Sequence, residues 1–429
     1  MTKLKNGNRI FDLSKSLWPI NRSITGNGVR KSLRLIKKIC PNLKLIEIKS
    51  RTKVFDWTVP DEWNVEEAYI VNPKGKKICN ISKNNLHLVS YSSPINKIMN
   101  LAKLQKNLYS IPKKPNSIPY ITSYYKKSWG FCLSENNRRK LKKGKYKVYI
   151  NSSFSKGSLT IGEIFIKGRS KKEFFISTNI CHPSLANNEI SGPSVTTFVS
   201  KFLNNKKNLN YSYRIIFIPE TIGSLSYMKY NLKKMKSNIV AGLNIVCVGD
   251  ERCFSYLPTR KGDKEIDRII KHILKWTVTK FKEYSWEDRG SDERQYCSPG
   301  IDLPIASLMR SKYGEYPEYH TSDDKLNSVV TAKGLFGSYN AILKTIEIFE
   351  KNSFPKATKI GEPFLHKYNL YHNEKKHKYD KGNIRLILNI LSESDGNNSL
   401  LQIADKSNVP IWTLYPLINK LVKKNLIKI

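Results

Sequence analysis

Acidic residues are scarce in this chain: 35 Asp and Glu stand against 75 Lys and Arg, a formal charge of +40. Such an excess attracts nucleic acid, anionic membrane surface or acidic polymers at low salt. The lysines, however, are spread through nearly every segment with abundant Asn and Ile, a composition that an AT-rich coding sequence produces without any polyanionic partner. The densest runs, Arg138 to Lys143 and Lys375 to Lys381, fall at a predicted turn and in a linker, where solvated charge is the ordinary state. Cysteine is also sparse. The seven cysteines are odd in number, widely spaced and free of CxxC pairs, which argues against a disulfide framework or a thiolate zinc cluster and points to a reducing cytosol. Long apolar runs are missing. The N-terminal MTKLKNGNRIFDLSKSLW has no continuous apolar core for a signal peptide, and the longest apolar stretch, Ile239 to Gly249, is too short for a membrane span. A soluble cytoplasmic protein without membrane insertion is expected.

What is present suits a large α/β domain with smaller modules, because 429 residues exceed what one core usually serves and 39% are apolar. Val29, Leu33, Ile36 and Ile39 recur at helical spacing between Gly28 and Pro41, and a strand over Leu43 to Ile48 follows. From Trp57 to Tyr125 short apolar runs are broken by six prolines, which predicts a β-rich insertion. Alternation over Gly144 to Phe154 and Ser158 to Lys167 predicts a hairpin. Strands at Glu173 to Asn179, Tyr213 to Ile218, Ile239 to Val248 and Ile305 to Met309 then alternate with helices at Pro193 to Leu203, Ser224 to Lys236 and Ile266 to Phe281. This is the pattern of a doubly wound, largely parallel sheet, which places ligands in the loops beyond its strands' carboxyl ends. After a helix over Thr331 to Lys351 and a Lys/His-rich linker, three helical patterns end in Leu426 to Ile429 and suit a winged helix. The expected domains are 1–56 with 126–360, an insertion over 57–125, and a winged helix over 378–429.

Four polar segments sit at or beyond predicted strand ends: Cys181 to Gly192, Pro219 to Ser224, Val248 to Asp250, and Tyr319 to Asp324. Strand ends bring them to one rim of the sheet. A hydrolytic metal site needs this convergence of imidazole and carboxylate groups with one position left open for water.

These segments resemble the co-catalytic zinc aminopeptidases, whose pattern is a His, an Asp-Asp-Asn-Ala-Ser-Gly loop, a Glu-Glu pair, a later acidic ligand and a final Tyr-His-Thr. The resemblance covers roughly Leu159 to Glu350 and includes the order Ser291-Asp292-Glu293, Gly300-Ile301-Asp302, Tyr319-His320-Thr321. It implies a doubly wound mixed sheet of zinc-exopeptidase type. More closely, the whole chain is similar to bacterial aminopeptidase-like proteins that add a small insertion and a C-terminal winged helix, often associated with surface-polysaccharide gene clusters. The departures are specific. Asn187 and Asn188 stand in the loop where the family has a bridging Asp, Thr221 stands where it has its second Glu, and a neutral amide is a poorer metal bridge than a carboxylate. A two-metal site is not expected. The resemblance implies Glu220 as general base and leaves one zinc ion to His182, His320, Asn188 or Glu189, and Asp250. The alternative is that His182 and His320 are hydrogen-bonded loop residues and that Glu220 pairs with one of them.

Asp292, Arg294 and Arg310 are candidate substrate-binding residues, since an Arg fork suits a carboxylate; ion pairing within the protein is the competing role. Cys181 reads as a buried strand-end thiol. Lys420, Lys423 and Lys424 cluster at the far end of the predicted recognition helix, so packing or dimerisation is weighed beside DNA contact. Two functions follow: a zinc-dependent hydrolase of a peptide or amino-sugar amide bond, with homo-oligomerisation open, or a non-catalytic ligand-binding or regulatory protein that contacts DNA or another protein through its winged helix.

Overall fold

The computed structural model describes residues 2–370 and 381–429. Most of the Lys375 to Lys381 run and the start of the expected 378–429 domain lie outside the described residues. Eight strands form the central sheet: β1 (Lys44–Lys49), β2 (Ser158–Ile166), β3 (Glu173–Asn179), β4 (Ser212–Ile218), β5 (Ile239–Asn244), β6 (Phe254–Leu257), β7 (Phe281–Glu283) and β8 (Ile305–Met309). Their order is β1-β2-β4-β3-β5-β8-β6-β7. Neighbours among β4, β3, β5 and β8 run parallel, while β1–β2, β2–β4 and β8–β6 pair antiparallel. The sheet is therefore mixed around a parallel centre. Every residue of β3, β4 and β8 is buried, as in a sheet covered on both faces. The helix Asn27–Ile39 inserts Val29, Leu33 and Ile36 into this core, each burial contributing about 1.5–3 kcal/mol. Close packing also fixes Gly192, where a Cβ would meet the Ile245 carbonyl oxygen at 2.6 Å.

The insertion is a second sheet, ordered Lys77–Ile78, Glu62–Val71, Lys145–Ser155, Ile95–Asn100 and antiparallel throughout. It draws in residues well past the expected boundary at 125. It also overturns the predicted hairpin: Lys145–Ser155 pairs inside the insertion, whereas β2 pairs with β1 and β4. Alternation reports which face of a strand is buried, not which strand lies beside it, so two neighbouring segments passed for partners. The strand expected to reach Val248 stops at Asn244, and the helix expected to reach Phe281 ends at Thr277. A helix over Thr2–Leu17 was not foreseen.

The chain divides into two compact units, Met1–Asp267 with Lys280–Ile342, and Arg268–Thr279 with Leu343–Ile429. In the second, helices Lys381–Glu393, Leu400–Lys406 and Leu414–Lys423 precede Ile427–Lys428, which pairs antiparallel with Lys356–Ala357. His272 is buried there, its Nδ1 2.6 Å from Asp405 Oδ1 and its Nε2 accepting the Ile411 N–H at 2.9 Å. The His272→Ala variant leaves that amide without its acceptor and is expected to lose about 1–3 kcal/mol of stability. Hydrogen exchange at the Ile411 amide checks this, because its protection falls if the ring supplies the acceptor. Among the described residues no helix is long and apolar enough to cross a membrane.

Candidate functional site

The cleft forms in the first unit where β3, β4, β5 and β8 end. β3 runs into Cys181-His182, β4 into Glu220-Thr221, β5 toward Asp250, and β8 toward His320. A one-turn π-helix over Ala186–Ile190 follows His182. Asp324 anchors it, accepting the Asn187 N–H at 2.7 Å and the Asn188 N–H at 3.0 Å. This turn carries Glu189 inward. One Glu189 oxygen accepts the backbone N–H groups of Cys181 and His182, and the other lies 2.8 Å from His182 Nδ1. Although burial alone would raise it, the pairing with His182 and these N–H groups hold the Glu189 carboxyl below its usual range.

With Nδ1 engaged, His182 turns Nε2 toward Glu220 Oε2 at 3.7 Å. Burial opposes a charge on this imidazole, yet Glu189 and Glu220 together raise its pKa. Burial also raises the Glu220 carboxyl, assisted by Glu189 and opposed by His182. Backbone strain presents Glu220. Thr221 adopts φ 64°, ψ −72°, a conformation that a β-branched residue rarely takes. Its N–H donates to Asp292 Oδ1 at 2.8 Å.

His320 completes the cleft. Its ring stacks on Tyr319 at 3.9 Å and lies 5.7 Å from the His182 ring, and Tyr120 contacts both imidazoles at 4.9 and 5.2 Å. The His320 Nε2 is buried without a partner, and burial with the nearby His182 pushes its pKa down to about 3. The insertion supplies Tyr120 because its chain is pinned to this loop: the Tyr120 N–H donates to the His320 carbonyl at 2.9 Å, and Ser322 N–H to that of Ile118 at 2.8 Å. Trp57, Tyr124 and Tyr125 add to the same wall, and the cavity measures about 390 Å³.

Of the residues singled out from sequence, His182, Glu220, His320 and Arg294 line this cleft. Asp250 does not. It accepts from Asn187 Nδ2, Ser311 N, Ser311 Oγ and Arg252 N at 2.9–3.0 Å, which leaves it a loop clasp rather than a metal ligand. Asn188 lies on the Nδ1 side of His182, at 3.1 Å, away from the nitrogen that faces Glu220. Asp292 is fully buried beneath Thr221 and Ser224, and Arg310 lies over Phe254 with its NH2 3.5 Å from the Gly334 carbonyl. Neither lines the cleft. Tyr120, Tyr124 and Glu189's anchoring role went unread; a cluster of tyrosines near the end of the insertion was the only signal for the first two.

The donor chemistry around His182 and His320 fits a metal ion. A carboxylate fixing Nδ1 so that Nε2 is free is the usual support of a metal-binding histidine, and a neutral buried imidazole with an orphaned Nε2 is a second donor. The two rings lie 5.7 Å apart centre to centre, and a shared ion would need both Nε2 atoms about 2.0–2.1 Å from it. Cys181, His182 and Glu189 also bring donor atoms within 4.8 Å of one another, but Glu189 is spent on hydrogen bonds and burial raises the Cys181 thiol pKa well above its usual value.

The family profile of DUF4910, a domain of unknown function, matches residues 11–352. The chain belongs to the DUF4910 family. Residues 353–429 match a winged helix-turn-helix family. This DUF4910 protein is 43% identical to a Clostridium acetobutylicum protein described as "Putative polysaccharide biosynthesis protein with aminopeptidase-like domain", over 99% of this chain and 97% of the relative. A solved structure of a "putative peptidase" from that organism superposes with a TM-score of 0.91 at 42% identity, covering 99% of this chain and 97% of the other. A zinc aminopeptidase from Bacillus subtilis superposes at 0.57 with 14% identity over 80% of this chain and 94% of that one, which shows the shared fold alone. The DUF4910 protein thus has an aminopeptidase-like α/β core followed by a winged helix.

The Asp292 carboxyl gives this core a measurable pH signature. Its Oδ2 is buried without a partner, and burial with the charge of Glu220 pushes its pKa up to about 8. An ordinary aspartate pKa is 3.8, so between pH 4 and 8 the folded state holds a proton that the unfolded state releases. This contribution to stability is full below pH 4 and declines by about 1.4 kcal/mol per pH unit up to 8. Asp292→Asn keeps the Oδ1 acceptor and cannot ionise. Urea midpoints are therefore expected to rise for the variant relative to wild type as pH increases from 5 to 8; a constant difference would contradict this.

Proposed function

We propose that this protein is a zinc-dependent, aminopeptidase-like hydrolase of an amide bond that uses one ion, with His182 and His320 as its imidazole ligands and Glu220 as general base. The observation that supports this most is the fixed His182: Glu189 takes Nδ1, and Nε2 faces Glu220 across a cleft that also holds the orphaned His320 Nε2. When bound, the ion supplies Lewis acidity toward a carbonyl oxygen and acidifies water. Glu220, whose carboxyl burial holds above its ordinary pKa, would take a proton from a water molecule in the cleft. The hydroxyl adds to the acyl carbon, the C–N bond breaks, and the nitrogen leaves as an amine with the proton that Glu220 passes to it. Glu189 keeps the His182 ring in orientation, and Tyr120 shields both imidazoles from solvent.

The missing carboxylates at 188 and 221 favour a second reading, a non-catalytic ligand-binding protein. An amide-hydrolysis screen of zinc-loaded protein separates the two. Turnover that disappears on zinc removal and returns on re-addition supports the hydrolase, and tight ligand binding without turnover supports the second. We assign the winged helix to protein contact or packing, because Trp412, in the turn before its last helix, and Tyr415, in that helix's first turn, already lie against Lys344 and Lys351 at 4.2 and 4.5 Å. Bases are read by that end of a recognition helix. We place the protein in the cytoplasm, in keeping with seven free cysteines.

A further inference from the structure

The cleft's charges are the reverse of what a free amino terminus requires. Among the described residues that line it, Glu220 is the only carboxylate, and it faces His182 as the proposed base. An ammonium group would find no second carboxylate and would approach Arg294, a like charge. Arg294 itself has capacity to spare. Its guanidinium is exposed at the cleft and makes a single hydrogen bond among the described residues, NH2 to Thr221 Oγ1 at 2.9 Å. A guanidinium carries five N–H donors in a fork that matches a carboxylate. Two exposed aromatic side chains line the same cleft: Trp57 is 40% exposed, Tyr125 is 56% exposed, and their rings meet edge to face at 5.8 Å. The surplus of +40 draws anions toward the molecule as a whole.

From this juxtaposition we infer that the cleft takes a carboxylate-bearing amide whose nitrogen is already acylated, not a peptide with a free amino terminus. Arg294 holds the carboxylate, and Trp57 and Tyr125 receive an apolar or aromatic side chain. This deepens the hydrolase reading and rests on it for the reacting bond, while the binding itself is measured without turnover.

The test is calorimetric titration of the full-length protein with N-acetyl-L-phenylalanine and with L-phenylalaninamide. The first carries the carboxylate and a masked nitrogen; the second carries a free amine and no carboxylate. Wild type is expected to prefer N-acetyl-L-phenylalanine by about tenfold or more, Arg294→Ala to weaken it about 10- to 100-fold, and Arg294→Lys to fall between. Trp57→Ala is expected to weaken both probes. No binding of N-acetyl-L-phenylalanine, an equal or greater affinity for phenylalaninamide, or an Arg294→Ala affinity within twofold of wild type would overturn the inference. Zinc content, measured on the same samples, keeps the two proposals apart. Arg294-dependent binding by protein that holds no zinc when zinc is supplied leaves the ligand class standing and sinks the hydrolase, whereas zinc-bound protein that prefers the amine does the opposite.

Discussion

Replacing Glu189 with alanine is expected to destabilise the protein by about 3–5 kcal/mol, the largest loss of any single substitution considered, because it strands a buried charge network. The carboxylate accepts from two backbone N–H groups and from His182 Nδ1, and all three donors are buried. Arg22 lies in the same pocket, buried, its guanidinium donating to the carbonyls of Leu17 at 2.7 Å and His182 at 3.1 Å. Burial lowers the Arg22 pKa and Glu189 is the first group that counters it, so the alanine variant leaves a cation with its main counter-charge gone. Glu189→Gln keeps one oxygen for the backbone donors and is expected to cost less, about 1–2 kcal/mol. Urea unfolding of the two variants against wild type measures both. If Glu189→Ala unfolds at the wild-type midpoint, the buried pair is not what holds the His182 loop.

Glu220→Gln is expected to lower amide turnover by about 10²–10⁴-fold while leaving zinc content and fold unchanged. Glutamine fills the same space, cannot take a proton from water, and removes a carboxyl that burial disfavours in its charged form. Stability of the variant is therefore expected to match or exceed that of wild type at pH 8. Turnover within threefold of wild type would remove Glu220 from the base role even if the ion is present.

Much of the central sheet was legible because its strands are buried on both faces. Glu173–Asn179 and Ser212–Ile218 are short, apolar and bounded by turns, and helices between them leave few arrangements open. His182, Glu220 and His320 were legible for the same reason, since each follows a strand that ends on the same rim. Asp250 and Asp292 had equal claims by position. Which way a carboxylate turns depends on whether a loop amide or hydroxyl competes for it, and Ser311 and Ser224 are distant in sequence from the residues they satisfy. Arg310 was lost in the same way, to the ring of Phe254. The aromatic wall was not legible, because Tyr120 is held at the cleft by backbone bonds between its segment and the His320 loop, about 200 residues further along the chain.

Zinc stoichiometry is the most direct measure of the central claim. Untagged protein purified without chelator, and the His182→Ala and His320→Ala variants, would be assayed by plasma mass spectrometry after equilibration with zinc and gel filtration, with circular dichroism to confirm that each is folded. About one equivalent in the wild type, lost in both folded variants, is the predicted result; two equivalents, or one that survives removal of either histidine, would contradict a single ion held between His182 and His320.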